Sequence, residues 1–160
     1  MSVDQPRGIY FDDVEIGSTY RTGERTVSFQ DIKAFGELTG DLAPLHVDEA
    51  YSRTGPFGRP VAHGAFGAAL MNGLKAQLHM YDKTSIAALG WNRLRYIAPI
   101  FVGDTVHAEV KYMAKRLSRS NPGRGIVTEA VRLVNQAGLT VSEGEFSIML
   151  LKHSDSQPNK

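Results

Sequence analysis

No cysteine occurs among the 160 residues. That removes disulfides, thiolate nucleophiles and cysteine-based zinc sites from consideration. An excess of one charge is also missing: 18 Lys and Arg stand against 17 Asp and Glu, a net charge of +1. The chain therefore presents no electrostatic case for binding nucleic acid or an anionic membrane surface. No apolar run reaches the roughly 20 residues that a membrane-spanning helix needs. The opening MSVDQPRGIYFDD lacks a basic start followed by an apolar stretch, so no secretory leader is expected and the cytoplasm is the default location.

What is present suits one domain with one core: 42% of the residues are hydrophobic, and the length is sufficient to bury them. No repeat, low-complexity segment or linker interrupts the chain. Residues 1–8 and the tail HSDSQPNK (153–160) are polar and expected to be loose, leaving an ordered core of about 9–152.

The first half reads as a weak strand over 18–27 followed by helices. Ser28 and Asp31 form an N-cap pair. Phe29, Ile32, Phe35 and Leu38 recur at helical spacing on one face, and Gly40 suits a left-handed C-terminal cap. Asp48 can cap a short helix in DEAYSRT, and GPFGRP (55–60) is a loop. HGAFGAALMNGLKAQLHM (63–80) is apolar nearly all round in its first part, which predicts a buried helix. Its Gly64, Gly67, Ala68, Ala69 and Gly73 keep it thin enough for a sheet to wrap around.

The second half is strand-like over 86–97, 104–116, 125–134 and 139–151. Val106, Ala108, Val110, Tyr112 and Ala114 alternate with Thr105, His107, Glu109, Lys111 and Met113, and Phe146, Ile148 and Leu150 share a face. The turns fall at VGD (102–104), SNPGRG (120–125) and NQAG (135–138). The sum is an α+β layer architecture: one buried helix against an antiparallel sheet of about five strands.

TGDLAPLHVD (39–48) holds the candidate chemistry. A carboxylate and an imidazole, Asp41 and His46, flank Pro44, which stiffens the loop. Such a pair can hold a water and move protons in both directions. Gly64, at the start of the buried helix, offers a free backbone N–H to a developing oxyanion. Spacing alone leaves other readings open. Asp41 and His46 can be plain loop residues, His63 a satisfied helix-start residue, and the glycine and alanine run close packing. Asp41, His46 and His63 could converge on a metal, but no motif such as H-x-x-x-H supports it.

Two separated blocks then resemble the MaoC-like dehydratase family, which includes the (R)-specific enoyl-CoA hydratases. Gly40, Asp41, Pro44, His46 and Asp48 match its Gly-Asp-x-Asn-Pro-x-His-x-Asp motif. Arg59, Pro60, Val61, His63 and Gly64 continue the match, and RYIAPIFVGDTV (95–106) resembles its second signature. The resemblance covers about residues 15–151. It implies a hotdog fold, a curved antiparallel sheet wrapped around a central helix at about 64–79, with 29–60 as the overhang that carries the site.

The resemblance also implies an activity: (R)-specific hydration of trans-2-enoyl-CoA to (R)-3-hydroxyacyl-CoA, or the reverse dehydration. Asp41 and His46 would be catalytic, and the Gly64 N–H would hold the thioester oxygen. Leu42, Leu45, His63 and Tyr96 would line the substrate site. No metal or cofactor is expected, since the CoA thioester is itself the substrate. Ala43 departs from the pattern, standing where the family has Asn, and this bears on substrate range. A hotdog thioesterase is the alternative enzyme, but such enzymes place a carboxylate on the central helix, and no Asp or Glu lies between Gly64 and Met80. A non-catalytic acyl-CoA-binding subunit is the non-enzymatic alternative. Unpaired sheet edges invite a homodimer. Arg93, Lys115, Arg116 and Arg124 are candidate contacts for the CoA phosphates.

Overall fold

The computed structural model describes residues 8–153. The loose ends expected at 1–7 and 154–160 lie outside the described residues. His153, placed by the sequence in the loose tail, is instead tied down. Its N–H donates to Asp12 Oδ2 at 2.9 Å, and its ring stacks on Tyr10 at 4.1 Å.

A single turn of 3-10 helix (Phe11–Asp13) leads to β1 (Thr19–Arg21) and β2 (Arg25–Thr26). Three helices follow, α1 (Phe29–Thr39), α2 (Pro44–Val47) and α3 (Glu49–Thr54), and then the central helix α4 (Gly64–Ala76). The strands β3 (Ser85–Tyr96), β4 (Thr105–Leu117), β5 (Arg124–Asn135) and β6 (Thr140–Leu151) complete the chain. The sheet order is β1-β4-β5-β6-β3, with β2 also on β4 and every pairing antiparallel. This is the expected α+β hotdog arrangement, with each long strand within one residue of its expected limits.

The expected first strand is split in two. At Thr22 the side chain replaces a backbone acceptor: the Ala108 N–H donates to Thr22 Oγ1 at 2.8 Å, which breaks the ladder between β1 and β2. The alternation on β4 also stops early. Val106, Ala108, Val110 and Tyr112 are buried, but a register shift between Tyr112 and Ala114 leaves Ala114 exposed.

The capping box of α1 forms as read. Asp31 N–H donates to Ser28 Oγ at 3.1 Å, and Ser28 N–H to Asp31 Oδ2 at 2.9 Å. Gly40 closes the helix in the left-handed region at φ 79°. Leu38 does not join the apolar face and is 85% exposed. A run of three-residue steps drifts by about 60° per step on a helix of 3.6 residues per turn, so the buried face is carried by Ile32 and Gly36 instead.

α4 crosses the inner face of the sheet. Phe66, Leu70, Met71 and Leu74 pack with Val110, Val131, Leu133 and Phe146 in one continuous core. Burying each large aliphatic side chain contributes about 1.5–3 kcal/mol. Two expectations about α4 are corrected. It ends at Ala76, with His79 at φ 57° shortly after, and Leu78 and Met80 remain buried without being helical. It is also not buried all round, because Ala65, Ala69, Gly73 and Ala76 form an exposed stripe. The helix is nonetheless held close. A Cβ on Gly67 would lie 2.7 Å from Ser142 Oγ.

The outer face carries alternating charges straight across the sheet. Arg21 opposes Glu109, Glu109 opposes Arg132, Arg132 opposes Glu143, and Glu143 opposes Arg95. Opposite charges directly across strands favour this register over a one-residue slip. Among the described residues, no helix is long and apolar enough to cross a membrane.

Candidate active site

The site is assembled where the α1–α3 segment meets the N-terminus of α4. Gly40 turns the chain out of α1 and places Asp41 just beyond the helix. The stretch after it, expected as a loop, contains the helical turn α2, with Pro44 in its first position. Proline is favoured there because its fixed φ suits the helix and the first turn has no use for its missing N–H. This turn carries His46. Asp48 then caps α3, accepting from the Tyr51 N–H at 3.0 Å, as its spacing predicts.

His46 Nδ1 lies 2.6 Å from the Val61 carbonyl oxygen. A carbonyl can only accept, so Nδ1 carries the hydrogen and Nε2 is left with a free lone pair. His63 sits behind it. Its Nε2 donates to the Asp41 carbonyl oxygen at 2.8 Å, and its ring stacks on His46 with centroids 3.8 Å apart and planes 28° apart. His63 is 3% exposed, and its Nδ1 is buried without a partner among the described residues. The backbone at Asp41 and the ring of His46 are therefore both braced by one residue. Asp41 is exposed and His46 half-buried, so the chemical groups face outward from a buried support.

One side-chain donor atom each from Asp41, His46 and His63 lies within 4.8 Å of the others. This is the one such cluster among the described residues. Its chemistry suits a metal poorly, because the two rings are stacked. Lone pairs lie in the ring planes, and nearly parallel planes direct them side by side rather than at one ion.

Gly64 is the first residue of α4, so its N–H has no intrahelical acceptor. A Cβ here would run into the Tyr96 ring, which lies over the helix start from the end of β3, so glycine is what lets the ring lie so close. A cavity of about 350 Å³ opens beside this point, lined by His63, Gly64, Tyr96, Ile97, Pro99 and Ser142 among others.

His63 and Tyr96 thus border the cavity as expected. Leu42 and Leu45, 54% and 36% exposed, are absent from its wall, and so are Asp41 and His46, which lie next to it through His63. Phe57, Ile97, Ile100 and Ser142 take that place. The 95–106 block signalled two of these, but Ser142 is three strands away from its cavity neighbours in sequence and carried no local signal.

The basic residues divide similarly. The Lys115 ammonium is engaged on the Val14 carbonyl at 2.8 Å, and Arg93 pairs with Glu145 at 3.1 Å. Arg116 lies about 27 Å along β4 from Ala108, which shares the site's end of the sheet, at the usual rise per residue, and Arg124 lies at the same far end, where β5 begins. Arg59, not named for this role from sequence, stacks 3.8 Å over the Phe101 ring at the cavity's edge.

Known proteins bear on this arrangement. The family model described as MaoC like domain matches residues 13–135. The chain is 36% identical over 137 residues to an (R)-specific enoyl-CoA hydratase of Aeromonas caviae, covering 86% of this chain and 96% of that protein. A MaoC-like dehydratase structure from Rhodospirillum rubrum is similar with a TM-score of 0.81 and 28% identity, covering 92% and 99% of the two chains. An R-hydratase structure from Pseudomonas aeruginosa is similar with a TM-score of 0.77 and 28% identity, covering 92% and 88%. With the match running through most of its length, the chain belongs to the MaoC-like dehydratase family.

Proposed function

We propose that the protein is a hydro-lyase that adds water to trans-2-enoyl-CoA thioesters, giving (R)-3-hydroxyacyl-CoA, or removes it in the reverse direction. The observation that carries this reading is the convergence of Asp41 and His46 beside the free N–H of Gly64. Hydration needs a base for water, a proton for the α-carbon and a donor for the enolate oxygen, and these three groups supply them.

Water sits between the Asp41 carboxylate and His46 Nε2. As one of them takes a proton, the water oxygen bonds to the β-carbon. The C=C electron pair moves toward the thioester oxygen, which the Gly64 N–H holds. A proton from the same pair is then delivered to the α-carbon, and the atoms of one water are accounted for. The step is redox-neutral, so the reading includes no redox cofactor. In this reading Arg59, over the Phe101 ring, is the candidate to meet a CoA phosphate.

The functional unit in this reading is a homodimer. β3 is an edge strand of 12 residues with both faces largely exposed, and it lies beside the exposed stripe of α4. Pairing two such edges would cover both. The relatives named hydratase support the reaction class.

The experiment is crotonyl-CoA with purified protein, following loss of the conjugated enoyl absorbance and release of thiol together. Absorbance loss without thiol, with an (R)-3-hydroxy product, is expected. Thiol release would instead mean a thioesterase, and silence across longer and branched enoyl-CoAs would mean a binding subunit.

A further inference from the structure

One hydroxyl in the cavity beside Gly64 is not accounted for by the fold. Ser142 is 2% exposed, and its hydroxyl meets no hydrogen-bond partner among the described residues. It borders the cavity and lies over Gly67, where a Cβ would come within 2.7 Å of Ser142 Oγ. Its neighbours in the wall are mostly apolar, among them Val61, Ala62, Pro99 and Ile100. The other buried polar side chain there, His63, already donates from Nε2 to the Asp41 carbonyl. A buried hydroxyl without a partner is unfavourable unless a ligand supplies one.

Which part of the substrate reaches Ser142 follows from the directions at the thioester. The carbonyl carbon is trigonal, so its sulfur and its α-carbon diverge from the oxygen held at the Gly64 N–H. The α- and β-carbons must face Asp41 and His46, which stand outside the cavity wall next to His63. The sulfur therefore points the other way, into the cavity. Gly67 is three residues past Gly64, a rise of about 4.5 Å along α4. A pantetheine arm carries its first amide two methylene groups beyond the sulfur, at a matching reach. The same wall includes Phe57, whose ring meets Phe101 edge-on with centroids 6.1 Å apart. Arg59 sits over that Phe101 ring. The arm thus has an apolar path from the thioester to a cation at the cavity's edge.

We propose that this cavity takes the carrier arm of the thioester, and that the Ser142 hydroxyl hydrogen-bonds the first amide of that arm. A hydroxyl can donate to the amide carbonyl or accept from the amide N–H. Ser142 is then a specificity residue for the carrier and not for the acyl group. The proposal rests on the hydratase reading for the position of the thioester.

The test compares crotonyl thioesters of CoA, of N-acetylcysteamine and of pentanethiol, which matches N-acetylcysteamine in length but lacks the amide. Two quantities are read: kcat/KM, and Kd by calorimetry for the unreactive S-butyl thioethers of the same thiols. In the wild-type protein the N-acetylcysteamine compounds should be preferred over the pentyl ones by about tenfold or more in both. Ser142→Ala should reduce that preference to about twofold or less. Its thermal unfolding should not fall, because the hydroxyl removed has no partner in the fold. The order of preference among short and long enoyl-CoAs should be the same in Ser142→Ala as in the wild-type protein.

No preference for the amide in the wild-type protein, or a preference that survives in Ser142→Ala, would overturn the proposal. So would a changed order among acyl lengths in Ser142→Ala, which would put the acyl chain in the cavity. The wild-type comparison decides the first point even if the variant does not fold. An amide preference in binding that Ser142→Ala abolishes, with no turnover of any thioester, would overturn the hydratase reading and leave the carrier site standing.

Discussion

The two ends of α4 solve opposite problems with similar residue types. At the N-terminal end, Asp41 and His46 stand toward solvent, and the buried residue, His63, is a brace. At the C-terminal end, Lys75, Glu129 and Tyr112 are buried, Tyr81 is partly buried, and the four are held by one another. Burial pushes the Tyr81 hydroxyl far above the usual tyrosine range, with the neighbouring Glu129 charge adding to it. Burial likewise raises Tyr112. The difference teaches that the titratable groups at the end proposed for the reaction stay open to solvent, while those at the other end are held against one another by burial.

The comparison is broken most sharply at the reaction end. Asp41→Asn and His46→Gln should each lower turnover by about 10²- to 10⁴-fold with thermal unfolding unchanged. Activity near wild type in either variant, with folding confirmed by circular dichroism, would remove that residue from its role. At the other end the expected signature is the reverse. Lys75→Met strands a buried carboxylate and should cost about 3–5 kcal/mol in denaturant unfolding, whereas Lys75→Met/Glu129→Gln should recover most of it. Equal loss in the single and double variants would mean that packing, not charge, holds this end.

The brace sharpens the contrast. His63→Phe keeps a ring against His46 but loses the donor to the Asp41 carbonyl. It should lower kcat by about ten- to a hundredfold with KM nearly unchanged, since it displaces the reacting groups rather than the substrate. A rise in KM alone would return His63 to a purely substrate-lining role.

The smallest effects lie in the helix caps. Asp48→Asn should leave activity and stability near wild type, because Asn caps a helix as well as Asp, and Asp48→Ala should cost about 0.5–2 kcal/mol. A loss on Asp48→Asn equal to that of Asp41→Asn would reassign the catalytic carboxylate. At Asp31, burial alone would raise the carboxyl, but hydrogen bonds from Ser28 and Arg25 outweigh it and hold it below the ordinary value of 3.8. A depressed folded value means that the stabilisation is present above the unfolded value and is lost as pH falls through the folded one. Asp31→Asn should therefore flatten the acid limb of a stability-versus-pH curve, and an unchanged limb would show that other carboxylates set it.

Much of this was legible in advance because it is local. The Ser28–Asp31 cap, the Gly40 stop, the Asp48 cap and the alternation on β4 as far as Tyr112 each depend on residues a few positions apart, and all appear in the structure. Leu38 and the last turn of α4 were misread because apolar spacing continued where the geometry did not. Glu129 had left a signal: it occupies the same alternating face as Val127, Val131 and Leu133, a charge in a core register. What the pattern could not say is that Lys75, 54 residues earlier, would neutralise it.

The sequence by itself determined the starts of α1, α3 and α4, the limits of the four long strands, the glycine at the N-terminus of α4 and the segment carrying Asp41 and His46, because these follow from short-range hydrogen bonding and steric rules. Only the tertiary structure decided that His63 would brace both catalytic candidates and that Ser142 would join the cavity. It also decided that Leu42 and Leu45 would not, and that four polar groups would share the buried end of α4. Those outcomes depend on which distant segments meet when the sheet curls around the helix, and no spacing along the chain encodes that meeting.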